Sequence, residues 1–130
     1  WVSLLNGCDY CVEHHFSGLQ RLLADREKSA AVRAALDSGD IEAGPFEARE
    51  IAALRYAEAL TVAPASVSED MVTGLGRAGY DDGEILEINQ VTAYYAYANR
   101  TVLGLGCNTK GDVLGLSPNN SANADDWSHS

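Results

Sequence analysis

The chain has no long uninterrupted apolar run, and charged residues recur every few positions, which argues against a transmembrane span. Basic residues are scarce. Nine Lys and Arg stand against 19 Asp and Glu, giving a formal charge of -10 and a pI near 4.5. Such a surface opposes the phosphate neutralisation that nucleic-acid binding needs, and it repels anionic lipid with no basic amphipathic helix to offset the repulsion. Neither nucleic acid nor a membrane is expected as a partner. Three cysteines are too few and too unevenly spaced for a disulfide scaffold. The close pair Cys8 and Cys11 reads instead as redox or metal chemistry, with the cytoplasm as the expected compartment. There is no internal repeat, no low-complexity block, and no alternating apolar and polar run long enough to build a sheet.

What remains is material for helices. At 130 residues with 46% hydrophobic content, the chain has the apolar surface for one compact domain. Asn6 and Gly7 break the opening Val2, Leu4 and Leu5, after which Val12, Phe16, Leu19, Leu22 and Leu23 predict a helix over about Cys8 to Leu23. An alanine-rich helix follows over about Arg26 to Leu36, stopped by Ser38 and Gly39. Gly44 and Pro45 mark a loop before a third helix over about Phe46 to Leu60, with Glu47, Glu50 and Glu58 on its wet face. Ser66 or Ser68 caps a short helix through Met71, Val72 and Leu75. The longest pattern runs from a cap at Asp81 or Asp82 to Leu103. These elements predict an all-α fold, a single-domain bundle of about five helices over residues 1–118, followed by a polar tail from Asn119 to Ser130. The chain opens at Trp1 without an initiating methionine or the pattern of a signal peptide, so residues upstream are expected.

The chemistry concentrates at the start of the first long helix. Unpaired backbone N–H groups and the positive end of the helix dipole favour a thiolate there, so the CxxC pair Cys8 and Cys11 suits a reactive thiol. Residues three and four apart on a helix are neighbours, which brings His14 and His15 within reach of Cys11. Turning about 100° per residue places His15 with Cys8, Cys11, Val12, Leu19 and Leu22 on the apolar stripe, while His14 turns toward Tyr10, Ser17 and Arg21. His15 is therefore the candidate base or relay, its imidazole titrating near neutrality, and His14 is expected to be a solvated or interface residue.

Two other uses of the same residues stand beside this one. Two thiolates and two imidazoles make a tetrahedral zinc set, although drawing all four from one continuous helix is sterically awkward. Alternatively, the cysteines and histidine simply pack in a core, since free cysteine behaves as a small buried hydrophobe. Cys107, in a glycine-rich stretch, is expected to be a bystander. Tyr94, Tyr95 and Tyr97, at helical spacing, are expected in a core or subunit interface and receive no catalytic role.

The run LNGCDYCVEHH, with its CxxCxxHH motif, resembles the active-site segment of the alkylhydroperoxidase D and carboxymuconolactone decarboxylase superfamily, particularly its peroxidase-related branch. Downstream, EIAALRYAEALT, VSEDM, DDGEILEINQVTAYYAYANR and LGLSP resemble that branch in the same order, so the likeness covers most of the chain. The resemblance implies an all-helical oligomer that reduces a small-molecule hydroperoxide, with Cys11 attacking, Cys8 resolving, His15 in a proton relay and an external thiol or dithiol as reductant. No cofactor or metal is implied. Two positions depart from the best-studied pattern. Tyr10 stands where that pattern has a histidine, and a relay glutamate about three helical turns before the first cysteine would fall upstream of Trp1.

Overall fold

The apolar opening of the chain coils into a single helical turn, α1 (Val2–Leu5), in a computed structural model that describes residues 1–115. Sequence patterning treats these residues only as a run cut short by Asn6 and Gly7, because one turn is too brief to show a period. How α1 ends sets up the rest. Gly7 sits at φ +66°, a left-handed conformation that costs an L-residue with a side chain roughly 1–2 kcal/mol. There the chain closes a Schellman motif: Gly7 N–H donates to the Leu4 carbonyl at 3.0 Å and Cys8 N–H to that of Ser3 at 2.9 Å. Cys8 is thereby delivered to the N-cap of α2 (Asp9–Leu23).

A left-handed Ala24 ends α2, and Asp25 caps α3 (Arg26–Ser38) by accepting from Lys28 N–H at 2.9 Å. Arg33 on α3 reaches back to Glu13 on α2, also pairs with Asp37, and lies over the Phe16 ring. The 3₁₀ turn Ile41–Ala43 buries Ile41 before α4 (Ala48–Val62), where Glu50 accepts from Glu47 N–H at 2.8 Å. Glu47 and Glu50 thus cap the helix as well as face water. A second 3₁₀ turn, Pro64–Ser66, leads to α5 (Glu69–Arg77), with Ser68 at its N-cap. Reciprocal bonds between Asp81 and Glu84, at 2.8 and 2.9 Å, start the longest helix, α6 (Asp82–Gly104).

The expected all-α bundle is what the chain forms. Among the described residues there are six α-helices and no strand: the five that periodicity predicts, with ends shifted by about one to two residues, and α1. The predicted tail from Asn119 lies outside the described residues. None of the helices described is long and apolar enough to cross a membrane.

The principal packing is α4 against α6, with α1 touching both and α2 joined to α3. Tyr56 on α4 is buried, and its hydroxyl accepts from Asn89 Nδ2 on α6 at 2.7 Å. Asn99, fully buried on α6, accepts from Asn6 Nδ2 at 3.0 Å and donates to Ser3 Oγ at 3.1 Å. This short polar chain pins α1 and the turn before Cys8 onto the longest helix. Two residues assigned to the apolar stripe of α2, His15 and Leu22, are solvent-exposed. Leu22 is 80% exposed, because it lies in the last turn, where nothing among the described residues is laid over it.

Candidate functional site

The Schellman turn and the first turn of α2 hold Cys8 and Cys11 with their Cα atoms 5.4 Å apart, and the two sulfurs form a disulfide. Both residues are buried, Cys8 completely. Cys8 occupies the N-cap, where its carbonyl accepts from Val12 N–H at 2.9 Å, and Cys11 is the third residue of the helix. Cys11 therefore sits among the first-turn N–H groups that have no partner within the helix, the place where a sulfur anion is favoured once the bond opens. Asp9, the first residue of α2, opposes that effect with a negative charge in the same turn.

His15 follows Cys11 by one helical turn. Its ring meets Tyr95 of α6 edge to face, with centroids 4.7 Å apart, and Tyr95 Oη lies 3.4 Å from His15 Nδ1. The histidine stays open to solvent on one side. Burial of the other side, then the neighbouring His14, lowers its pKa below the ordinary imidazole value of about 6.5. It is thus a neutral ring at neutral pH, able to accept a proton. Burial, reinforced by Tyr94, raises the Tyr95 phenol, which keeps its proton.

His14 differs from expectation. It is half-buried rather than solvated: its ring stacks on Tyr10 at 6.0 Å and 4°, and Gly115 N–H donates to its Nδ1 at 3.3 Å. The cause is the chain beyond α6. A second Schellman motif, with Gly106 at φ +68° and Cys107 N–H donating to the Val102 carbonyl at 3.1 Å, turns this segment back across α2. There the Asp112 carboxylate raises the pKa of the Tyr10 phenol. Cys107 itself is an exposed free thiol.

Beside His15 opens a cavity of about 560 Å³, between α1, α4 and α6. Its wall is mainly apolar, built from residues such as Trp1, Leu54, Ala57, Ile88 and Val91, with Tyr95 and His15 on the side toward α2. Sequence reasoning missed this cavity and the part Tyr95 plays in it. A signal for Tyr95 did exist. It falls seven residues after Ile88 and between the buried Thr92 and Asn99, on the inward stripe of α6, whereas Tyr94 and Tyr97 are 60% and 69% exposed.

Of the three residues singled out from the sequence, the two cysteines are brought into contact, and the His15 ring turns to Tyr95. Among the described residues, no group of three or more His, Cys, Asp and Glu side chains is placed to hold a metal ion. Compared with models of known protein families and with curated proteins, the chain matches none.

Proposed function

We propose that this chain is a thiol-dependent peroxidase of alkylhydroperoxidase D type, in which Cys11 attacks, Cys8 resolves and His15 moves the proton. The observation that carries the reading is the Cys8–Cys11 disulfide in the first turn of a helix, with the His15 imidazole one turn further on. In the dithiol form, His15 takes the Cys11 proton directly or by relay. The Cys11 thiolate attacks the terminal oxygen of a hydroperoxide, the O–O bond breaks, and the departing alkoxide takes that proton to leave as an alcohol. Cys11 is now a sulfenic acid. The Cys8 thiolate attacks the Cys11 sulfur, the S–O bond breaks, and hydroxide leaves as water after protonation. The disulfide that results is reopened by an external thiol or dithiol through exchange, which donates two electrons and closes the cycle.

The same reading makes the protein a homo-oligomer. Leu86, Tyr94 and Tyr97 lie on the outward arc of α6 with more than half their surface exposed, an apolar face that a second copy would cover.

The test uses the reduced full-length chain with hydrogen peroxide and with cumene hydroperoxide. The proposal expects peroxide consumption matched by loss of two thiols per chain, abolished by Cys11→Ser. It fails if neither peroxide is consumed and no internal disulfide forms.

A further inference from the structure

The cavity beside His15 is wide enough for more than hydrogen peroxide, and its chemistry is selective. Its volume of about 560 Å³ falls inside the roughly 300–1,000 Å³ range of small-molecule sites. Trp1, Tyr80 and Tyr95 give it three aromatic faces among aliphatic side chains. Two carboxylates, Glu84 and Glu87, contribute to its lining on the α6 side. Arg49 balances Glu84 through an ion pair and stacks over the Tyr80 ring at 4.1 Å. Among the ion pairs of the described residues Glu87 appears in none, so its charge stays on the lining, in a molecule whose formal charge is already -10.

From these features we infer that the cavity binds an uncharged organic molecule with an apolar, ring-sized body, and that it discriminates against a carboxylate-bearing one. Burying such a body against aromatic and aliphatic walls drives binding, while an anion entering beside Glu87 meets like charge. Trp1 adds a polar feature: its indole N–H is buried without an acceptor, and a ligand oxygen that supplied one would relieve an uncompensated donor. Insofar as it rests on the proposed peroxidase reading, the inference selects among hydroperoxides: an uncharged one enters the cavity lined by His15 and Tyr95 in preference to a carboxylate-bearing one.

Binding is tested apart from turnover by using the oxidised full-length protein, which has no Cys11 thiol to react. A Trp127→Phe background leaves Trp1 as the sole tryptophan, and its emission is followed during titration with 2-phenyl-2-propanol, the alcohol left when cumene hydroperoxide is reduced. The para-carboxylated form of that alcohol is titrated in parallel. The expected result is a saturable change with the neutral alcohol and binding of the carboxylate weaker by at least about tenfold, or 1.4 kcal/mol. Glu87→Lys should narrow that gap. Ala53→Phe, which places a ring in the cavity, should abolish the response while circular dichroism shows the helical content retained.

A response that never saturates, equal or tighter binding of the carboxylate, or wild-type binding in a folded Ala53→Phe protein each overturns the inference. So does a Trp1 signal that follows protein concentration instead of ligand, since a second copy then fills the space. The two proposals fail separately. Binding without peroxide consumption removes the peroxidase reading alone, and hydrogen peroxide reduction without binding removes the cavity assignment alone.

Discussion

At the residue scale, the decisive quantity is where the proton sits when the Cys8–Cys11 bond is open. Because burial and His14 lower the His15 pKa, its NMR titration midpoint should fall below about 6.5. The sign for stability follows. A histidine whose folded pKa is depressed binds its proton less readily folded than unfolded, so stability is complete above 6.5 and declines as the pH falls toward the folded pKa. Peroxide reduction should show an acid limb over the same window. Loss of a positioned base typically costs about 10²–10⁴-fold in rate, so His15→Phe should slow disulfide formation by that order and remove the limb. Tyr95→Phe keeps the ring contact and deletes the oxygen 3.4 Å from Nδ1, so a loss of only a few-fold, roughly 1 kcal/mol of barrier, is expected in stopped-flow oxidation. The Cys8–Cys11 pairing was legible in the sequence because it is local: residues three apart at a helix start are neighbours. Tyr95 was not, since its contact with His15 spans 80 positions and no periodicity reports which helix a stripe will meet.

At the element scale, the site depends on how α1 ends. Gly7→Ala forces a side chain into the left-handed conformation and should destabilise the fold by about 1–2 kcal/mol in denaturant unfolding. Asn99→Ala leaves Asn6 and Ser3 without their buried partner and should cost about 1–3 kcal/mol in the same assay. Both changes leave the two sulfurs in place and act on the turn that presents Cys8. Asn6 and Gly7 could be read as a break in the sequence, yet the break turned out to be a Schellman closure that hands Cys8 to the next helix. The longer helices were legible because the apolar period persists over several turns, as in α6, and because Asp81 and Glu84 form a recognisable cap. The wrapping of residues 107–115 over α2 was not, for that stretch has no period at all. The backbone N–H of Gly115 finds His14 through tertiary contact alone.

At the scale of the whole molecule, the helical bundle leaves one face of α6 uncovered among the described residues. Light scattering of the full-length protein should give a mass above that of one 13.9 kDa chain, and Tyr97→Glu should shift it toward the monomer. A monomer at micromolar concentration would remove the oligomer from the account. The α2 turn needs no second copy to place its own sulfurs, so the redox pair should persist in the dissociated form. The most direct test of the central claim is therefore made on those sulfurs. Reduced Cys8→Ser protein is mixed with hydroperoxide in the presence of a sulfenic-acid trap and the modified residue is located by mass spectrometry. The account predicts the trapped adduct on Cys11, formed in proportion to peroxide consumed. An adduct confined to Cys107, or no adduct while peroxide is left intact, would contradict it.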